Sequence, residues 1–144
     1  MQSQTIITYI AIMLITAAMG GCTHNDGDIG PLFGKRKLES IVVDGVKDTN
    51  YEDDMFWSFQ STTIGMTRVI DATQTEQTYG SWSINKEKNE LTLHFPDDKF
   101  PPLPQSGLPR TSMLKIIKMS GNELILQYDR TDGESSLTYY LKKW

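Results

Sequence analysis

A chain of 144 residues with a net charge of −4 and a pI near 5.1 has room for one small domain. It carries no basic stripe of the kind that grips a phosphate backbone. Three Trp, six Tyr and five Phe argue for a packed core and against disorder, and a single cysteine excludes an intrachain disulfide.

Residues 1–21 contain no Asp, Glu, Lys or Arg. An apolar run over 6–15 is followed by the small residues Thr16, Ala17 and Ala18, then Met19-Gly20-Gly21-Cys22. This is the layout of a cleaved secretory signal, and it is short for a permanent membrane span. The amino terminus is the only positive charge ahead of the apolar run. Met19-Gly20-Gly21-Cys22 resembles a lipobox, with Met at the place usually held by an aliphatic residue. Small residues give the peptidase access to the bond before the cysteine. The resemblance implies that residues 1–21 are a lipoprotein signal peptide. The Cys22 sulfur then becomes a thioether to diacylglycerol, and palmitate-type acyl chains anchor the chain at about 0.8 kcal/mol per buried methylene. The competing reading is an ordinary signal peptide followed by an incidental cysteine.

Residues 22–33 read as a polar tether, Thr23-His24-Asn25-Asp26-Gly27-Asp28, ending in a short helical turn over 29–33. Acidic residues just after the lipidated cysteine resemble the surface-export tag of Bacteroidetes lipoproteins. A plain flexible spacer explains them equally well. Lone His24 is a poor metal ligand.

From Gly34 to Trp144 the pattern is strand and turn, and no apolar period near 3.6 persists over three turns. Eight strands are predicted, over 35–43, 55–61, 63–70, 77–85, 90–95, 112–119, 123–128 and 135–143. The connections at 86–89, 120–122 and 129–134 are hairpin-length, so neighbours in sequence become neighbours in the sheet. Alternation sets the faces. Trp57 and Phe59 share a side, as do Trp82 with Ile84, Leu91 with Leu93 and Phe95, and Leu124 with Leu126 and Tyr128. One apolar face on eight meandering strands predicts an all-β, eight-stranded antiparallel up-and-down barrel, which closes both sheet edges. A two-sheet β-sandwich fits the same alternation.

Several segments resemble the calycin group, specifically the small lipocalin-like lipoproteins common in Bacteroidetes. They are Phe33-Gly34-Lys35-Arg36-Lys37-Leu38, Gly80-Ser81-Trp82-Ser83-Ile84 with Leu91-Thr92-Leu93-His94-Phe95, Ile116-Ile117-Lys118-Met119 with Gly121-Asn122-Glu123-Leu124-Ile125-Leu126, and Tyr139-Tyr140-Leu141-Lys142-Lys143. The departure is Arg36, which stands where the group carries the Trp that plugs the closed barrel end. Trp144 ends the last strand instead, which suggests a swap with Arg36 stacking on Trp144. Strand parity opposes that, because Leu137, Tyr139 and Leu141 facing inward turn Trp144 outward.

Catalytic chemistry finds no support. His94 alternates with Leu93 and Phe95 and is expected to face solvent, and Asp53-Asp54 and Asp97-Asp98 read as solvated pairs. No phosphate loop, calcium-binding spacing or other metal site is present, and no cofactor is implied. Two loops stand out. Residues 46–54 are acidic and sit where lipocalins carry a lid. Residues 96–110 hold Pro96, Pro101, Pro102, Pro104 and Pro109 with Phe100, Leu103 and Leu108, and end at Arg110. This proline-rich segment reads as a flap over one barrel end, as a docking segment for a protein partner, or as a crossover packed on the barrel wall. The expected function is a membrane-anchored lipoprotein of the bacterial envelope, held by lipid at the outer membrane, on its periplasmic face or at the cell surface. Its lipocalin-like domain is expected to bind a small apolar or amphipathic ligand, with Trp57, Phe59, Met66, Trp82 and Leu93 as candidate barrel lining. The alternative is a lipid-anchored protein–protein or accessory module with a barrel filled by its own side chains.

Overall fold

The computed structural model describes residues 32–131, 133 and 135–144. Nine strands form one antiparallel sheet: β1 (Gly34–Val43), β2 (Val46–Lys47), β3 (Met55–Gln60), β4 (Thr63–Val69), β5 (Thr75–Asn85), β6 (Glu90–His94), β7 (Thr111–Met119), β8 (Glu123–Asp129) and β9 (Ser136–Lys143). Each strand from β3 to β8 pairs with the next, and β1 pairs with both β3 and β9. The eight strands other than β2 therefore close into a barrel. Closure leaves no long edge to template aggregation, and it decides between the two architectures that alternation allowed.

The strands form where period-two alternation places one apolar face inward. In β3, Met55, Trp57 and Phe59 are buried while Gln60 is exposed. Leu91 and Leu93 of β6, Leu124, Leu126 and Tyr128 of β8, and Leu137, Tyr139 and Leu141 of β9 meet them in a single core. Bulges between Leu38 and Ser40 in β1 and between Ile116 and Lys118 in β7 bend their strands around this interior.

One strand was not foreseen. After β1 the chain reverses at Asp44 and Gly45, with φ of 50° and 83°, and β2 pairs back on Val42 and Val43. Two consecutive positive φ values make the primed hairpin turn for which Asp-Gly is suited. Gly80 shows a different need for glycine. A Cβ there would lie 2.5 Å from the His94 carbonyl oxygen and 2.8 Å from the Phe95 ring, so β5 and β6 approach as closely as they do only without a side chain.

The barrel has two unlike ends. At one, the chain enters through buried Leu32, and the β3–β4, β5–β6 and β7–β8 turns close the floor. Arg36 lies inside this end at 1% exposure, and its Nη2 donates to the Ser120 carbonyl at 3.3 Å. Desolvation lowers its pKa from the ordinary guanidinium value. The proposed stacking with Trp144 is overturned. Trp144 lies on the opposite face of the wall at 70% exposure, edge-on to Phe56, and the cation over its ring is Lys37 at 5.8 Å. Strand parity accounts for this. Of the helical turn expected over 29–33, residues 29–31 lie outside the described residues, as do the signal segment and Cys22.

Candidate ligand site at the barrel mouth

The opposite end is the mouth, ringed by the connections β1–β3, β4–β5, β6–β7 and β8–β9. The 96–110 connection touches the outer wall only at Phe100, edge-on to Tyr79 of β5. It folds into the opening, burying Pro102, Leu103, Ser106 and Leu108. At its tip Pro104–Ser106 form one 3-10 turn, started by the fixed φ of Pro104 and ended at Gly107 in left-handed geometry (φ 69°). The Ser106 hydroxyl donates to the Leu103 carbonyl at 2.7 Å and holds the turn closed. The Tyr139 hydroxyl reaches out of the core and donates to the Ser106 carbonyl at 2.5 Å. The segment is thus the flap among the three readings of the sequence, and its base is fastened by Arg110, whose Nε donates to the Phe95 carbonyl at 3.1 Å and which pairs with Asp98.

Between the flap and the 48–54 loop lies a cavity of about 440 Å³. Its apolar wall is Ile41 and Val43 of β1 with Leu137 of β9, and its polar wall includes Asp48, Asn50, Tyr51, Ser106, Arg68 and Arg130. Tyr51 fixes the loop. Its hydroxyl donates to the Leu38 carbonyl and accepts the Met55 N–H at 3.2 Å. Burial, ahead of the opposing hydrogen bond from Met55, pushes the Tyr51 phenol up to about 12. Burial also raises the Tyr139 phenol.

The two arginines of the cavity differ. Arg68 is committed to protein carboxylates, with Asp54 at 2.8 Å, Glu52 at 3.5 Å and Glu76 at 3.7 Å. Its pKa is raised chiefly by the hydrogen bond to Asp54. Asp54 is therefore not the solvated carboxylate that the sequence suggests. Arg130, at the end of β8, is exposed and forms no ion pair among the described residues. It stands close to Gly107, where a Cβ would lie 3.8 Å from its Nη2 and 3.0 Å from Leu137. The cavity therefore offers an apolar wall and the Arg130 cation, beside the carboxylates of Asp48, Glu52 and Asp54, with Gly107 of the flap set against Leu137.

The five candidate lining residues lie elsewhere. Trp57, Phe59, Met66 and Leu93 are fully buried in the interior and Trp82 is half-buried against Phe59, with ring centroids 6.0 Å apart. The structure brings them together, in cross-strand rows such as Trp57–Met66–Thr78 and Trp82–Leu93–Ser112. None of them lines the cavities described at the surface. The interior is not wholly apolar. Trp57 Nε1, Trp82 Nε1, Thr78 Oγ1 and Ser112 Oγ are buried with no protein hydrogen-bond partner. His94 faces outward as expected, its Nδ1 2.7 Å from Thr111 Oγ1. Among the described residues, no three His, Cys, Asp or Glu converge as a metal site. Sequence reasoning missed Tyr51, Ser106 and Arg130. Tyr51, a lone aromatic inside the acidic 46–54 run, was the one signal in the sequence that this loop is anchored.

Residues 32–126, more than half of the chain, match the lipocalin-like domain family. The chain belongs to that family. Solved structures with the lipocalin-like fold agree. A lipocalin-like protein from Bacteroides uniformis superposes with a TM-score of 0.59 at 20% identity, over 80% of this chain and 100% of that one. An uncharacterized protein from Bacteroides eggerthii gives 0.58 at 15% identity, over 78% and 99%. A second Bacteroides uniformis protein, solved by NMR, gives 0.53 at 16% identity, over 81% and 92%. No curated protein matches the chain. The flap and the 48–54 loop are thus built around the mouth of a lipocalin-like domain.

Proposed function

We propose that this lipocalin-like domain is a binding protein, not an enzyme, held at the outer membrane of the bacterial envelope by lipid on Cys22. Its ligand is a small amphipathic molecule bound at the mouth. The observation that carries this reading is the cavity of about 440 Å³ between flap and loop, within the size range of small-molecule sites. Its chemistry sets the ligand class. An apolar body would rest on Ile41, Val43 and Leu137, while an anionic or strongly accepting head would meet Arg130. The anchor rests on the lipobox-like Met19-Gly20-Gly21-Cys22 and on the placement of the only cysteine.

The alternative, a protein partner docked on the 96–110 segment, has less support. Leu103 and Leu108 are already buried under the flap, which leaves Phe100 at 42% exposure, edge-on to Tyr79. The test is native mass spectrometry of the protein purified from its source envelope. The proposal expects a diacylglycerol and acyl mass on Cys22 and a retained small molecule that Arg130→Glu releases. An unmodified Cys22 overturns the anchor. A ligand-free barrel that instead retains a companion protein overturns the binding site.

A further inference from the structure

The closed end of the barrel carries charge and aromatic surface that the ligand site does not use. β9 ends beside β1, where Trp144 N–H donates to the Lys35 carbonyl at 3.1 Å. The Trp144 ring packs edge-on against Phe56 at 5.1 Å, Lys35 Nζ lies 4.5 Å over Phe56, and Lys37 Nζ lies 5.8 Å over Trp144. In the ladder Lys142 stands opposite Lys37, and Lys143 opposite Arg36. Lys35, Lys37 and Lys142 therefore share the outer face with exposed Trp144, while Lys143, opposite Arg36, leaves the same rim on the other face of the strand, and Phe33, 46% exposed, lies at the same end. Two carboxylates approach this cluster. Asp53 pairs with Lys37 at 3.2 Å. Glu123, opposite Lys142, is taken by Lys118. Lys35, Lys142 and Lys143 keep their charge available.

The acidic groups that give the chain its net charge of −4 lie mainly at the other end. Asp44, Asp48, Glu52, Asp71, Asp97 and Asp129 all belong to the mouth loops or to strand ends beside them. Charge is thus uneven along the barrel axis: carboxylates outnumber cations at the mouth, where Lys47, Lys99, Arg110 and Arg130 also lie, and lysines outnumber carboxylates at the floor, where Glu87, Glu90 and Glu123 also lie. The described chain also begins at the basic end. Leu32 is ten residues beyond Cys22, so the contour between them is at most about 35 Å.

We propose that the closed end is a membrane-docking face that binds anionic phospholipid headgroups. Lys35, Lys142 and Lys143 supply the charge, and Trp144 sits at the headgroup level. Tryptophan suits that depth because one edge of its ring is apolar and the other donates a hydrogen bond. Lysines beside it are attracted to an anionic surface within a Debye length. The acidic mouth is repelled by the same surface, so the cavity faces away from the bilayer. This orientation rests on the Cys22 anchor only for the end at which the barrel is held; headgroup binding belongs to the barrel surface itself.

The two can be tested apart. The chain from position 22 onward contains the whole closed barrel, and Cys22→Ser prevents acylation. It is mixed at low salt with vesicles of phosphatidylcholine alone or with phosphatidylglycerol added, and bound protein is measured by sedimentation. Binding is expected with phosphatidylglycerol, is lost at high salt, and is absent with phosphatidylcholine alone. Each lysine near an anionic surface is worth about fivefold, so Lys142→Gln with Lys143→Gln should weaken partitioning about 25-fold. Both side chains are exposed, so the thermal midpoint should hold. Brominated lipid should quench emission in the parent and not in Trp144→Phe. Equal binding to both vesicle types, no binding to either, or weakening by Lys99→Gln and Arg110→Gln instead, overturns the inference. None of these outcomes bears on the mass of Cys22 in the envelope-purified protein.

Discussion

The bond from the Tyr139 hydroxyl to the Ser106 carbonyl ties the flap to the core, and Tyr139→Phe removes it alone. The ring remains, along with its contact to Trp57 at 5.1 Å between centroids. What is lost is a buried hydrogen bond, and the Ser106 carbonyl, in a residue only 1% exposed, is left without its partner. An unmet buried acceptor costs about 1–3 kcal/mol, and about 2 kcal/mol is expected here. For a domain of this size that lowers the thermal midpoint by roughly 8 °C. The loss falls on the flap, so flap opening should become about 30-fold more frequent. Trypsin cleavage after Lys99 or Arg110 should accelerate by a similar factor when reclosing is faster than cleavage. Thermal unfolding and timed proteolysis of the two proteins measure both effects. A midpoint within about 1 °C of the parent together with unchanged cleavage would refute the claim that this bond holds the flap.

Gly80→Ala should destabilise by about 2–3 kcal/mol in urea unfolding, because its Cβ meets backbone at 2.5 Å; a neutral result would mean that β5 and β6 part easily. Thr78→Val replaces a buried hydroxyl without a protein partner and should raise stability by about 1 kcal/mol. A loss of that size instead would reveal a polar partner inside the barrel. Stability should be full below about pH 10, where free tyrosine titrates, and should be lost as pH climbs through the Tyr51 value of about 12. The folded state holds the phenolic protons more tightly than the unfolded chain, so the slope with rising pH is negative. Urea midpoints from pH 8 to 11.5 should show the fall, and Tyr51→Phe with Tyr139→Phe should flatten it; an equally steep profile in the double variant contradicts the assignment. Asp54→Asn should cost about 0.5–1 kcal/mol by weakening the half-buried bond to Arg68 at 2.8 Å, read from the same urea curves, and no change would place Arg68 wholly on Glu52 and Glu76.

The strands were legible because a barrel wall writes period two directly into sequence. Met55, Trp57 and Phe59 on β3 read as one face and are one face. Every predicted strand lies within two residues of its observed ends. β2 was missed although Asp44-Gly45 is a strong hairpin signal, because two residues are too few to show alternation. The burial of Arg36 was also hidden, since only parity with Leu38 places it inside, and composition argues the reverse. The mouth was less legible for a further reason. Tyr51, Ser106 and the β8–β9 hairpin that carries Arg130 and Leu137 are distant in sequence and meet only because the barrel closes. The flap has no period at all. Its prolines indicated order, but whether it covered the wall or the opening depended on where the Tyr139 hydroxyl pointed.

The most direct test is an amide-resolved NMR titration of the barrel with 8-anilinonaphthalene-1-sulfonate, an anionic amphipathic probe. The mouth site predicts saturable shifts at Ile41, Val43, Tyr51, Gly107, Arg130 and Leu137, abolished by Arg130→Glu, with Trp57 and Phe59 little moved. Shifts confined to the strands around Trp57, Met66 and Leu93, or no saturable shifts at the mouth, would contradict it.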